Sequence, residues 1–400
     1  MNSIEKSARV YRGWHLEKTF IYEGKTLKEI LIRPAGGAPR IHGVYTGTIT
    51  RQLREIEAYF VSFQGGEGFL KTKKTYQLGQ TVPIVVVKEP RKDKGYRVSD
   101  EVYYKGSGAI YFPLQQQNRF SKKLSPQRET LLREAFSGTE GYLFRTRAQT
   151  LDLEVLAMEL SALREAHLKA LESVAVKASG RIIHEAPLDY SPEAVTDLNE
   201  ILNLEDLLEE HLKATVVHDK GFRVHFEETR VGHVIDFDSH QFRFEGPHGY
   251  LRINQEIFSW LLPEIVLRRL QGVILVDLIT MNDPWEKGQF KAWVKQKIRG
   301  ESAIRSHGIT PLGILELTNR VEGPSVMEFS RVSLLLEKLY LRIAYLKEHT
   351  RARAFKITLS GKYFRDAGAI EALQEAFETR LVFEYDNSLE EFKIQVSGND

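Results

Sequence analysis

The sequence predicts a multidomain α+β chain, and three observations carry that reading. Its 400 residues, 42% of them hydrophobic, are too many for one small domain and enough for more than one core. From about residue 39 to 100 the chain is dense in short alternating segments with no helical period between them. From about residue 125 apolar residues recur at three and four spacing instead, the period of a helix with one buried stripe.

The elements follow in order. LIRPAGGAPR, with its Pro and Gly residues, reads as a linker. In the next segment VYTGTIT and AYFVSF alternate apolar and polar, a Gly-rich turn follows, and TVPIVVVKEPRKDKGYRV supplies another strand with a basic hairpin. Several short strands in so short a span suggest a small closed barrel, and the OB-fold is the commonest such barrel with exposed aromatics. SPQRETLLREAF then opens a helix with a serine able to cap it and a glutamate in the first turn. Residues 151–173 form a longer helix, and SPEAVTDLNEILNLEDLLEEHL reads as two short acidic ones. Strands return around 222–244, and a helix covers about 254–270. GVILVDLITM is an apolar run suited to the inside of a sheet, WEKGQFKAWVKQKI is helical and GILELTN is a strand. Residues 325–400, in the order helix, strand, helix, strand, strand, read as a small α+β unit of their own.

Composition excludes some chemistry. With 56 basic and 54 acidic residues, whole-chain charge gives no argument for nucleic acid, and only local patches can. One such patch is KEPRKDKGYR, residues 88–97, where five basic residues face two acidic ones. Zero cysteines exclude disulfides, iron–sulfur clusters and thiolate zinc sites. The first residues, MNSIEKSARVYRGW, are polar, and no apolar run reaches the roughly 18 residues of a membrane span. A soluble, cytoplasmic chain is therefore expected.

The candidate chemistry lies in carboxylates. Asp236 and Asp238, in GHVIDFDSHQF, are two apart, so on a strand both point to one face while Ile235 and Phe237 take the other. Asp277, in VILVDLITM, has apolar neighbours that would bury it unless it sits at a strand end. Carboxylates converging from different strands can hold a hard cation such as Mg²⁺. The competing reading, a strand-end Asp that caps a helix or takes a turn, stays open on these residues alone. His240 and His248 flank the segment, but no H-x-x-x-H pair accompanies them.

Taken together these stretches resemble the bacterial ribonuclease E/G family of endoribonucleases. VIDFD and LVDLITM lie in the order of two family blocks whose first Asp holds Mg²⁺, which aligns Asp236 and Asp277 with the metal ligands. HGITPLGILELTNR resembles the block that follows. GVYTGTITRQLREIEAYFVSFQGGEGFL is similar to the family's inserted OB barrel, aligning Phe60 and Phe69 with its aromatic pair, and KDKG places Lys94 on the associated lysine. GYLFRT resembles the block that senses a 5′-monophosphate, aligning Arg145 and Thr146 with its phosphate ligands; SGAIYFPL adds Gly106 and Ile110 as weaker candidates. The resemblance implies an RNase H-like part from residues 1–38 and 180–221, an OB-fold RNA-binding barrel over 39–120, a 5′-sensor region over 121–179, a DNase I-like catalytic part over 222–320 and the small α+β domain over 325–400. It implies a Mg²⁺-dependent endoribonuclease acting on single-stranded RNA, with Mn²⁺ a second candidate and no zinc expected. Phe60 and Phe69 would stack on bases, with core packing as their competing role; Arg145 would hold a phosphate, with pairing to the acidic helices as its own.

The chain departs from the family at telling positions. The family's Asn, which orients the metal ligands, is Asp238 here; its second Asp in the later block is Thr280; an upstream acid aligns with Arg230; and HQFRF replaces a basic, small-residue turn. The C-P-x-C zinc-link that joins subunits is absent, so a homo-oligomer would have to form without it, through a surface such as the helix-led C-terminal unit. Asp238 would then serve as a third ligand or through an outer-shell hydrogen bond. The alternative on the same scaffold is a non-catalytic RNA-binding protein.

Overall fold

The computed structural model describes residues 6–396 apart from 65, 91–94, 244–245, 302, 322, 324, 330, 353, 363, 365–366 and 390. It is a mixed α+β chain that divides into two compact units, residues 37–191 and residues 1–36 with 192–400.

In the first unit the strands Val44–Leu53, Ala58–Phe63, Gly66–Lys71, Tyr96–Ser99 and Thr81–Lys88 lie side by side in that order, and the last pairs back on the first. The result is a closed, OB-like five-stranded barrel. Alternation fills it: Tyr45, Ile49, Val61, Phe63, Leu70, Ile84, Val86 and Val98 all point inward and are buried. Gly47 has to be glycine, because a Cβ there would run into Val61 and the Ser62 carbonyl. A bulge interrupts the first strand. Ile49 pairs with inward-facing Val61, but Arg51, two residues on, pairs with Phe60, the very next residue on the partner strand. The extra residue, Thr50, shifts the alternation by one and turns Arg51 to the outside.

A second core in this unit joins four short strands, ordered Arg119–Phe120, Tyr142–Phe144, Ala109–Tyr111 and Tyr104–Lys105, to the helices Pro126–Ala135 and Leu153–Ala175. Ser125 caps the first helix, accepting from the Arg128 N–H at 3.2 Å.

The other unit holds three sheets. Lys6–Arg12, Leu16–Glu23 and Thr26–Pro34 form an antiparallel meander with Ser191–Ala194 on its edge. Where the sequence suggests two short acidic helices before residue 213, the structure has one, Leu198–Leu212. Asp197 caps it, no Gly or Pro interrupts it, and Ile201, Leu202, Leu204 and Leu208 bury one side against the meander. The C-terminal sheet, Arg380–Asp386, Ala354–Ser360 and Phe392–Val396, packs on the helix Arg331–His349 and on Leu373 of the helix Ala367–Glu375.

The central sheet of this unit carries six strands, ordered Thr215–Val217, Arg223–Glu228, Gly232–Asp238, Gly272–Asp277, Ile314–Asn319 and Ile304–Ile309. Gly232–Asp238 and Gly272–Asp277 are parallel, joined through the helix Gly249–Leu267. Gly232 lets them meet, since a Cβ would collide with the Val273 carbonyl. Ile235, Phe237, Ile274, Val276, Leu315 and Leu317 face this helix and the helix Pro284–Lys297. The residues between them turn to the opposite, more exposed face.

Candidate metal centre and nucleic-acid interface

Strand parity puts Asp236 and Asp277 on that exposed face. Register then makes them neighbours, because the parallel ladder runs Gly232 to Val273, Ile235 to Val276 and Asp236 to Asp277. Adjacent strands are about 4.8 Å apart, so two like charges stand side by side at the carboxyl ends of a parallel pair. Ligands of open α/β sheets gather at such ends. Both residues are exposed, and among the described residues neither carboxylate has a hydrogen-bond or ion-pair partner.

Asp238 stands differently. It pairs in register with Arg223, and its Oδ1 accepts from the His240 N–H at 2.8 Å, closing a turn in which His240 adopts a positive φ of 45°. Arg223 Nη2 lies 3.1 Å from His240 Nε2. The charge at 238 thus has an opposite-charge neighbour and a backbone donor, whereas the charge at 236 faces a second acid.

The loop after Asp277 is held from below. Asn254, fully buried in the helix Gly249–Leu267, donates to the Ile279 carbonyl at 2.8 Å and accepts from the Ile279 N–H at 3.0 Å. Its other amide hydrogen goes to the Tyr250 carbonyl at 3.0 Å. Nothing in the sequence reading singled out Asn254. The signal was an amide inside an apolar helix, where Asn is a poor helix former and needs a partner. Thr280, the next residue of the loop, is exposed, as is Arg230.

Two carboxylates at adjacent strand ends fit Mg²⁺, which commonly takes one or two carboxylates and completes its shell with water and phosphate oxygens. Among the described residues no group of three or more His, Asp or Glu side chains converges closely enough to hold a metal, so an ion here would rest on Asp236 and Asp277.

On the barrel, Phe60 and Phe69 lie directly opposite one another on neighbouring strands, with ring centroids 5.9 Å apart and planes at 75°. Both are partly exposed and neither belongs to the interior cluster, which puts them on the outer wall. Lys94 falls outside the described residues.

The remaining candidates gather around one loop of the same unit. Arg145 Nη1 donates to the Gly106 and Ser107 carbonyls at 2.9 and 3.1 Å, and its Nη2 is 3.7 Å from Asp189 Oδ1. The guanidinium therefore ties down the loop as well as facing an acid, but an acid of the 187–190 loop and not of the helices. The backbone N–H groups of Ser107, Gly108 and Ala109 converge on the Glu159 carboxylate at 2.8–2.9 Å. Ile110 pairs with Leu143, one strand over. Thr146, exposed, places its hydroxyl 2.9 Å from that of Ser121.

A family model described as the ribonuclease E/G family matches residues 188–321, the span that includes Asp236 and Asp277. Ribonuclease G of Salmonella typhimurium is 18% identical over 383 residues, covering 76% of this chain and 77% of that protein. Ribonuclease E of Nostoc sp. is 22% identical over 378 residues, covering 77% of this chain and 55% of that one. Ribonuclease E of Escherichia coli is 22% identical over 388 residues, with 78% and 36% covered, so the chain spans only about half, or less, of these ribonucleases E.

Proposed function

We propose that this chain, whose residues 188–321 match the ribonuclease E/G family model, is a metal-dependent endoribonuclease that cleaves single-stranded RNA. The observation that carries the proposal is the register match of Asp236 with Asp277 at the ends of two parallel strands. Two carboxylates placed so, on an open face, suit a hard cation, and these two residues would hold Mg²⁺, with Mn²⁺ the alternative. When bound, the ion supplies an activated water and compensates charge on the phosphodiester.

The chain's own residues do the rest. Asn254 fixes the backbone next to Asp277. Asp238 sets the turn at His240. Phe60 and Phe69 stack on unpaired bases and Lys94 meets the backbone. Arg145, Thr146, Gly106 and Ile110 form the 5′-monophosphate pocket, where Arg145 reaches a phosphate by exchanging its distant Asp189 partner for it. In this reading the 222–320 span is the DNase I-like catalytic part, and residues 1–38 with 180–221 are the RNase H-like part.

A second reading, a non-catalytic RNA-binding protein, draws on Asp238, which stands where the family has Asn and is engaged in a turn. Incubation with 5′-monophosphorylated single-stranded RNA and Mg²⁺ separates the two. Cleavage that disappears in Asp277→Asn supports the nuclease; binding without cleavage, the same in the variant, supports the other.

A further inference from the structure

The outer wall of the barrel carries more than its two phenylalanines. Following the pairings strand by strand, Arg51 lies opposite Phe60, Phe60 opposite Phe69, Phe69 opposite Arg97, and Arg97 opposite Lys88. Paired residues share a face. One row therefore reads Arg, Phe, Phe, Arg, Lys, and Arg51, Arg97 and Lys88 are all exposed. The row's first member is there only because the bulge at Thr50 turns Arg51 outward. Its guanidinium sits 4.1 Å from the centroid of Phe60, a planar group resting on the ring. One face of Phe60 thus already takes a flat partner. One outward position along the same strand from Phe69 stands Glu67 on one side and Lys71 on the other, so the acid is off the row.

We infer that this row is a clamp for single-stranded RNA in which two bases stack on Phe60 and Phe69 while Arg51 at one end, and Arg97 with Lys88 at the other, take the flanking phosphates. From Arg51 to Arg97 the row crosses four strands, roughly 14 Å, room for two unstacked nucleotides and their phosphates. Arg51 leaves its ring as a base arrives, exchanging a cation–π contact for a charge-assisted bond to phosphate. The row itself, unlike the identity of its two rings, was not legible in the sequence, since Arg51, Phe60, Phe69 and Arg97 come together only through strand register.

The clamp rests on the RNA-binding reading of the barrel, and one experiment tests the two apart. The full-length protein, with a chelator present to prevent cleavage, is titrated into a labelled oligouridylate of about a dozen nucleotides, within the usual span of such barrels. Affinity is read by anisotropy at several potassium chloride concentrations. Arg51→Gln and Arg97→Gln should each flatten the plot of log K against log salt by about 0.7, the share of one phosphate contact on a single strand. Arg51→Lys and Arg97→Lys should restore the slope. Phe60→Ala and Phe69→Ala should lose about tenfold in affinity at an unchanged slope. If the phenylalanine variants weaken binding and the glutamine variants keep the full slope, the clamp is wrong while the RNA-binding barrel stands. If the phenylalanine variants bind as tightly as the parent, both are wrong.

Discussion

Two groups of charged side chains in the unit formed by residues 1–36 and 192–400 are treated in opposite ways. Lys18 is fully buried on the meander, and its ammonium meets the Glu205 carboxylate, which also accepts from the Tyr11 hydroxyl. Burial, reinforced by Glu205, pushes the Tyr11 phenol well above its usual range, so it remains a neutral donor. Every member of this group is answered by another. Asp236 and Asp277 are exposed, carry the same sign and stand in adjacent register with no partner among the described residues. The difference teaches how to sort charge in this fold. Where it serves the structure, the chain supplies the counter-charge; where it is left unanswered on a sheet end, the answer is expected from outside.

The largest effect should come from breaking the answered group. Glu205→Gln removes the carboxylate in direct contact with buried Lys18, leaving only the more remote Glu337 among the described acids acting on it, and urea unfolding should show a loss of about 3–5 kcal/mol. A loss under about 1 kcal/mol would mean that burial of a charge is no guide to structural duty here. The unanswered pair should behave inversely. Asp236→Asn or Asp277→Asn should reduce RNA cleavage by about 100-fold or more, while the urea midpoint stays level or rises as the repulsion is relieved. A clear drop in stability would show that the pair does structural service after all.

Asn254 joins the two categories, since it is buried yet acts on the loop beside Asp277. Asn254→Ala should cost about 1–3 kcal/mol, because the Ile279 N–H and carbonyl lose their partner. It should also raise the Mg²⁺ concentration needed for half-maximal cleavage; stability loss with unchanged metal dependence would make it a packing residue only.

Glu264 offers a pH test of the answered kind. Burial pushes its carboxyl up, but the hydrogen bond from His211 at 3.3 Å and the neighbouring Arg268 guanidinium at 2.9 Å more than offset that, so its pKa lies below the ordinary 4.5. The unfolded chain then binds the proton first, and the stabilisation is present above 4.5 and lost as pH falls through the lower folded value. Glu264→Gln should flatten stability against pH in that acid window, and an unaltered curve would contradict the assignment. The smallest effect is expected at Asp238→Asn. The amide oxygen can still accept from His240 N–H, so stability should shift by no more than about 0.5 kcal/mol, and cleavage should persist. A large loss of cleavage would mean that the extra charge has entered the metal site.

Much of the barrel was legible, because alternation in VYTGTIT and AYFVSF states directly which side chains face inward. The bulge at Thr50 was not, for it exists only in the pairing of Ile49 and Arg51 with consecutive residues of another strand. The N-terminal meander hid behind its own chemistry: in LEKTFIY a lysine sits among core residues, and acids far along the chain, Glu205 in direct contact and Glu337 nearby, make that burial tolerable. At the site, parity alone put Asp236 and Asp238 on one face. What separated them was register, which sets Asp277 beside the first and Arg223 beside the second.

The central claim is that Asp236 and Asp277 together form a cation site. Titration of the full-length protein with Mn²⁺, followed by the loss of the free-ion paramagnetic resonance signal, tests it without reference to any RNA. The expected result is a binding site that is lost in Asp236→Asn and in Asp277→Asn and retained in Asp238→Asn. Equal Mn²⁺ binding by the parent and by both of the first two variants would contradict it.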